Sequence, residues 1–376
     1  MNSVLQAIQP SATLAISARA KELAAQGASV CNFAAGEPDF DTPDVIKRAA
    51  IAAIEAGKTK YTAAKGMPEL CRAVAEKFAR VNGIAYDPAT EILVSSGGKQ
   101  SLFYAFLALL ERGDEVLIPS PAWLSYPELV RVAGGRPRFV KTTARTGYKL
   151  TPAQLEKAIR PRSKVLVLNY PSNPTGAVYS AAELRALGEV AVARGLWIVA
   201  DEMYERMVYT DEPFTSIASL SPALRARTVT VNGCSKAFSM TGWRIGYAGA
   251  PAEVLSLMAA AQSHCASNPC TPAQYAALAA FRERADRIYR LLRKIPGVRV
   301  PKPEGAFYIF PNIKAFGLDA VTFCHRLIEE KHVAAVPGTP FGSADHVRFS
   351  YACSMDTIEE GMARFADFCA SLRAAK

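Results

Sequence analysis

Short apolar runs rich in β-branched residues alternate along most of the chain with longer stretches whose apolar positions recur at helical spacing. The runs are Ile92–Val94, Val116–Ile118, Val165–Leu168, Trp197–Ala200, Val229–Val231 and Ile245–Ala248, with helical patterns such as Gln100–Leu110 and Ala181–Arg194 between them. Strand–helix alternation at this spacing predicts an α/β fold with a mostly parallel sheet covered by helices on both faces. Runs that are apolar at nearly every residue fit strands buried on both sides. The pattern changes after about residue 295. There Val298–Val300, Ala306–Phe310, Val333–Val336 and Val347–Tyr351 read as short strands, and Ala320–Glu330 and Thr357–Ala374 as helices, which predicts a smaller α+β domain. Pro and Gly cluster in IPGVRVPKPEG and from Gly36 to Pro43, so joints are expected at both points. The predicted organisation is residues 1–44 as an N-terminal arm and part of the small domain, 45–284 as the large domain, and 285–376 as the small C-terminal domain.

Composition narrows the class. The chain has 376 residues, 50% hydrophobic and 21% charged, enough apolar material for two sizeable cores and unlike a disordered or fibrous protein. The longest apolar run, Leu102 to Leu110, is about half a membrane span, and MNSVLQAIQP lacks the basic stretch and long apolar core of a signal peptide. A water-soluble cytoplasmic protein is expected. Lys and Arg total 44 against 34 Asp and Glu, but the excess is scattered among acids, as in RERADRIYRLLRK, with no basic block interleaved with aromatics. Nucleic acid is therefore not the expected partner. Eight cysteines without a C-x-x-C pair, and only four histidines, read as reduced thiols and not as a zinc site.

Chemistry is expected at the C-terminal ends of the strands, where open α/β sheets bind ligands. SSGGKQS, from Ser95, follows a strand and opens a helix; its small residues suit either an anion cradle or a tight turn. NYPSNPTG, from Asn169, is a rigid loop able to aim an amide inward, or simply a turn. Asp201 ends WIVAD and can pair with a buried cation or cap a helix, with Tyr204 one helical turn on. In NGCSKAFSMTGWRIGY, Lys236 lies among small residues just past a strand, where a desolvated amine is a nucleophile and an exposed one is ordinary surface; Arg244 follows eight residues later. Arg348, in HVRFSYA, offers a planar fork for a carboxylate or a solvated strand residue.

In order and spacing, the set resembles the class I pyridoxal-phosphate aminotransferases of fold type I, specifically the bacterial aspartate aminotransferase group. The resemblance runs nearly end to end, through PSATLAI, AAGEPDFDTP, KYTAAKGMPEL, SSGGKQ, SPAWLSYPE, NYPSNPTG, ADEMYE, SKAFSMTGWRIGY and VRFSYA.

The resemblance implies pyridoxal 5′-phosphate as cofactor and makes the large domain its binding domain. Lys236 becomes the Schiff-base lysine and the base that moves the substrate's α-proton. Asp201 faces the pyridine nitrogen and keeps it protonated, while Tyr204 and Asn173 donate to the ring oxygen. Trp123 stacks on the ring or is a core tryptophan. Gly97, Gly98, Lys99, Ser235 and Arg244 take the phosphate. Tyr61 matches a tyrosine that reaches the phosphate of the other subunit, which implies a homodimer. Arg348 forks the substrate α-carboxylate, with the Gly36 backbone, Asn173 and Trp123 nearby, and substrate binding closes the small domain over the site. No metal, nucleic-acid or membrane partner is implied; the partners are an amino acid and a 2-oxo acid.

Two departures bear on specificity and boundaries. Several aspartate-specific relatives carry a basic residue just before PSAT, where this chain has Gln9, and a neutral amide loses the charge-assisted bond to a side-chain carboxylate. The stretch from Thr271 to Phe281 runs straight into RERADRIYRL, about a dozen residues shorter than in relatives. The expected activity is amino transfer between aspartate and 2-oxoglutarate. The alternatives are an aromatic or other neutral amino donor, and a carbon–sulfur β-lyase using the same Lys236, Asp201 and Arg348. A regulator with an aminotransferase-like domain is set aside, because the pattern begins within the first ten residues.

Overall fold

A computed structural model of the chain describes residues 3–8, 12–34, 36–42, 44–210, 212–270, 288–303, 308–351 and 355–374. After a two-residue strand β1 (Cys31–Asn32), the chain builds a seven-stranded sheet from β2 (Ile92–Ser95), β3 (Glu115–Ser120), β4 (Arg136–Lys141), β5 (Ser163–Asn169), β6 (Trp197–Asp201), β7 (Thr228–Gly233) and β8 (Gly246–Gly249). The strand order is β2-β8-β7-β6-β5-β3-β4. Strands β3 to β7 pair in parallel, and β8 runs antiparallel to both its neighbours. Parallel return needs a long crossover, usually a full helix, and the link from β7 to β8 carries only the four-residue helix Cys234–Ala237.

Alternation along the strands sorts their side chains onto two faces. Val165, Val167, Val199, Val229 and Val231 pack with Leu102, Ala105 and Phe106 of the helix Gly98–Leu109 and with Met258 of the helix Ala252–Cys265. Leu166, Leu168, Ile198 and Ala200 pack on the other side with Leu155, Leu184 and Leu187, from the helices Pro152–Ala158 and Ala181–Ala193. Each of those two helices opens with a capping box, Thr151 with Gln154 and Ser180 with Glu183, which satisfies orphan backbone donors at the point where the chain leaves a turn.

The C-terminal part contributes β9 (Tyr308–Ile309), β10 (Val333–Ala334), β11 (Val336–Pro337) and β12 (Val347–Ser350), with the helices Ala320–Lys331 and Met355–Ala374. The N-terminal segment joins it. β1 pairs in parallel with β10, and Ile16, Ala20 and Leu23 of the helix Ala12–Ala25 pack with Phe310, Ile328 and Phe341. β12 is the central strand of the order β11-β12-β9 and carries Arg348.

Two expectations are corrected, and one strand appears that none anticipated. Val298–Val300 forms no strand; it holds one isolated bridge, Arg299 to Asn312, because Pro301 and Pro303 remove backbone donors on its flank. Val333–Val336 is two strands, since Val333 pairs with β1 while Val336 pairs with Arg348 on β12, and the chain changes partner at Ala335. β4 (RPRFVK) had no strand expectation. It is an edge strand with Phe139 half exposed and a proline inside, so its pattern is mostly polar. Part of Ala306–Phe310, the stretch Thr271–Phe281 and the expected boundary at 284–285 lie outside the described residues. No described helix is long and apolar enough to cross a membrane.

Candidate active site

A cavity of about 410 Å³ opens where the C-terminal ends of β5, β6 and β7 meet the N-terminal segment and β12. Asp201 ends β6 with the parity of Val199, so its carboxylate faces the side covered by the helix Gly98–Leu109. Tyr126 donates to Asp201 Oδ2 at 2.6 Å and the Met203 amide to Oδ1 at 3.3 Å. Among the described residues no cation pairs with this carboxylate. Burial pushes its pKa up to about 6 against the pull of those two donors.

β5 and β6 pair Asn169 with Asp201 in register. Asn169 uses that position twice, donating to the Asp201 carbonyl at 3.0 Å and accepting from the Asn173 amide at 2.7 Å. The Asn173 loop is thereby tied to the strand end that carries Asp201. Asn173 Oδ1 accepts from Arg348 Nη1 at 3.0 Å, and Nη2 donates to the Ala34 carbonyl at 3.3 Å. Arg348 is 2% exposed and lies over the Tyr308 ring, 4.2 Å from its centroid. Its Nε is buried with no hydrogen-bond partner, and among the described residues no carboxylate faces it. Burial lowers its pKa. A buried guanidinium with spare donors is a ready carboxylate receptor.

Lys236 sits in the short helix after β7, and its Nζ donates to the Gly36 carbonyl at 2.5 Å. Burial pushes its pKa down to about 8; the Glu37 charge opposes that shift, and those of Arg348 and Arg244 add to it. The amine is therefore available in its neutral, nucleophilic form near physiological pH. Gly36 has no room for a side chain, because a Cβ there would collide with the Tyr308 hydroxyl. Thr241 donates to Glu37 at 2.7 Å and Thr42 to the Ser239 carbonyl at 2.7 Å, which ties the segment after Gly36 to the lysine loop.

A second subsite lies at the start of the helix Gly98–Leu109. Gly97 has φ +88°, and a Cβ on it would run into the Arg244 guanidinium. A Cβ on Gly246, which pairs with both Ser95 and Gly233, would overlap the Gly97–Gly98 backbone. Arg244 itself holds φ 55°, a conformation that costs a non-glycine residue about 1–3 kcal/mol. Its Nη1 donates to the Thr241 carbonyl at 2.8 Å. Free helix N–H groups, the Ser235 hydroxyl and the Arg244 charge together make an anion cradle.

Gly36, Gly98, Lys99 and Trp123 line the same cavity as Asn173, Asp201 and Tyr204, and so do Ser235, Lys236, Arg244 and Arg348. Gly97 backs Arg244. Trp123 is half-buried and edge-on to Tyr126, with Lys99 Nζ 4.9 Å above its ring. Lys99 has its pKa lowered by burial and by the Arg244 charge, and no described carboxylate pairs with it. Tyr204 donates to the Tyr308 hydroxyl at 3.3 Å, and burial raises its pKa well above the ordinary value. Tyr61 is apart from this group and 90% exposed. Gln9 lies outside the described residues.

The chain matches the family model for class I and II aminotransferases over residues 28–365. The chain belongs to this family. It is 48% identical to the aspartate/prephenate aminotransferase of Cereibacter sphaeroides over 99% of both chains, and 48% identical to the aspartate aminotransferase of Geobacillus stearothermophilus over 96% of both. Among solved structures, the aspartate aminotransferase of Thermus thermophilus with maleate superposes with a TM-score of 0.92 at 43% identity, covering 98% of this chain and 99% of that one. The protein is a pyridoxal 5′-phosphate-dependent aminotransferase whose substrates are amino and 2-oxo acids, and its fold is that of the fold type I enzymes.

Three residues of this aminotransferase's site were missing from the candidates. Tyr126 stood inside SPAWLSYPE and Asn169 opened NYPSNPTG, so the motifs held them, but nothing local marked their hydroxyl and amide as site groups. Tyr308 stood among the apolar residues of a short strand, with no motif at all.

Proposed function

We propose that this aminotransferase moves the amino group of L-aspartate to 2-oxoglutarate, with the residues around the cavity in the roles that follow. The observation that carries the substrate class is charge. Two cations, the buried Arg348 and the more exposed Lys99, line one cavity without a described carboxylate partner, and a dicarboxylic amino acid pairs with both. The Thermus thermophilus relative was solved with maleate, itself a dicarboxylate, and the relatives named above are aspartate aminotransferases. Lys99 thereby takes over the task that Gln9 leaves open.

The donor set fits the cofactor: a buried carboxylate lacking a cation, a lysine amine poised near neutrality, and a glycine-lined anion cradle beside an arginine. Bound there, pyridoxal phosphate supplies the electron sink that makes the substrate's α-proton removable. Asp201 holds a proton on the ring nitrogen by its negative charge. Tyr204 and Asn173 donate toward the ring oxygen, and Trp123 covers a ring face. Gly97, Gly98, Ser235 and Arg244 hold the phosphate. Lys236 Nζ takes the α-proton and returns one to complete the transfer. Arg348 orients the α-carboxylate, which fixes the α-hydrogen toward Lys236.

The proposed division is 1–44, 45–284 and 285–376. Gly36 and Arg348 belong to the part that closes over the cavity and excludes water. The proposed assembly is a homodimer in which Tyr61, 90% exposed and outside its own subunit's cavity, reaches the partner's. The cytoplasm, which supplies both amino and 2-oxo acids, is the proposed location.

The test is an absorbance titration of the cofactor-loaded protein against a panel of L-amino acids, repeated for Lys99→Met. Aspartate and glutamate are expected to lead in the parent. The variant should lose at least tenfold in kcat/KM for those two and little for neutral donors. Aromatic donors leading in the parent, or an equal loss for all donors in Lys99→Met, would overturn the dicarboxylate assignment.

A further inference from the structure

Behind the cavity, on the far side of the turn after β6, lies a buried polar cluster that the reaction itself does not use. Glu202 follows Asp201 and is fully buried. Its Oε1 accepts from the Ser216 hydroxyl at 2.6 Å and from the Tyr170 hydroxyl at 2.9 Å, and its Oε2 from Asn82 Nδ2 at 3.3 Å. The same Asn82 Nδ2 donates to Glu205 Oε2 at 2.8 Å, and Glu205 Oε1 pairs with Lys77 Nζ at 2.6 Å. The Glu205 amide donates to the Glu202 carbonyl at 3.0 Å, so both carboxylates hang from one turn. That turn presents Asp201 and Tyr204 to the cavity. Tyr170 sits just past β5, at the head of the loop that carries Asn173, and its amide donates to the Asp201 carbonyl at 3.3 Å.

We propose that Glu202 is a positioning residue for the cofactor: its carboxylate clamps the Asp201–Tyr204 turn and binds it to the base of the Asn173 loop. A carboxylate is an expensive choice for a core position, and a well-packed apolar residue would stabilise the fold at least as well. Burial and the neighbouring Glu205 charge push the Glu202 pKa up to about 8, although the Ser216 and Tyr170 hydroxyls and the Lys77 charge pull the other way. What the carboxylate adds is direction. Three donors from three separate segments converge on one side chain, so the turn cannot rotate without breaking a buried hydrogen bond. Asp201 and Tyr204 act only if they meet the ring at fixed positions, and Glu202 supplies the rigidity on the face they leave free. The inference rests on the roles given above to Asp201, Tyr204 and Asn173.

The experiment compares Glu202→Ala, Glu202→Gln, Tyr170→Phe and Asp201→Ala by three readouts: cofactor dissociation constant from fluorescence quenching, visible circular dichroism of the bound cofactor, and melting temperature. Glu202→Ala is expected to weaken cofactor binding about tenfold or more and to shrink the dichroic band, which reports ring orientation. Glu202→Gln keeps the acceptor at Oε1 and should recover affinity to within about threefold, with Tyr170→Phe between the two. A lower melting temperature with parent-level affinity and dichroism in Glu202→Ala would overturn the proposal. If that variant does not fold, Tyr170→Phe and Ser216→Ala decide, and parent values in both overturn it equally. A loss in Asp201→Ala with none in Glu202→Ala removes the positioning role alone; no loss in either removes the reading of Asp201 beneath it.

Discussion

Replacing Tyr126 by Phe removes one hydroxyl, and its consequence can be worked out from the geometry. The ring is 1% exposed and its hydroxyl lies 2.6 Å from Asp201 Oδ2, so the phenyl ring keeps the packing and loses only the donor. A hydrogen bond to a charged group contributes about 1.5–3 kcal/mol, which at about 1.4 kcal/mol per pH unit raises the Asp201 pKa by roughly 1–2 units. In the cofactor-free protein that pKa stands at about 6, raised by burial from 3.8. The variant is therefore expected to titrate between about 7 and 8. The sign for stability follows. An acid whose pKa is raised by folding binds more protons in the folded state, so stability falls as pH rises from about 4 to about 6, by about 3 kcal/mol in all, and the cost is complete above that. In Tyr126→Phe the fall continues to about pH 8. The assay is the carboxyl carbon resonance of Asp201 against pH in cofactor-free, labelled protein, alongside cofactor affinity at pH 7 and pH 9. Affinity should drop at pH 7 and recover at pH 9, where Asp201 is ionised in both proteins. An unmoved titration, or an affinity loss equal at the two pH values, would refute the reasoning.

Other outcomes are equally specific. The Lys236 amine, at about 8 through burial, is neutral above that pH, so the rate at which cofactor-free protein takes up pyridoxal phosphate should rise between pH 6 and 8 and level off; a rate flat across this range in stopped-flow absorbance contradicts it. Lys236→Ala should bind the cofactor without the lysine-linked absorbance band and show no transfer. Arg348→Lys should lower kcat/KM by about a hundredfold for acidic and neutral donors alike, since the lost fork serves the carboxylate common to all of them. Gly246→Ala, whose Cβ has only the Gly97–Gly98 backbone to meet, should cost about 1–3 kcal/mol or more in denaturant unfolding. It should also weaken pyridoxal phosphate much more than unphosphorylated pyridoxal, and equal weakening of the two would remove the cradle from the phosphate's account.

The sequence by itself determined the central strands, whose cores are short runs of apolar, β-branched residues. β5 and β6 follow from their central apolar runs, Val165–Leu168 and Trp197–Ala200, as expected of strands covered on both faces, and β7 follows from Val229 and Val231 although threonines alternate with them. It also marked residues that the fold gathers around one cavity, since SSGGKQ, NYPSNPTG, WIVAD and the lysine motif each stand at a strand end, and strand ends in this architecture face the ligand edge. Where local pattern and long-range pairing disagree, the sequence failed. Val298–Val300 looks like a strand, but the prolines beside it leave a single bridge, and β4, which has no apolar run to mark it, gains its ladder from β3. Only the tertiary structure decided what each candidate meets. Tyr126 and Asp201 are 75 positions apart, and Lys236 and Gly36 are 200 apart. A hydrogen bond across such a separation depends on which strands are neighbours and how helices settle on them, and no local pattern encodes it. The same holds for Lys99: beside two glycines it reads as part of a phosphate loop, and only the tertiary structure sets its amine over Trp123 in a cavity shared with Arg348, the position on which the proposed carboxylate role rests.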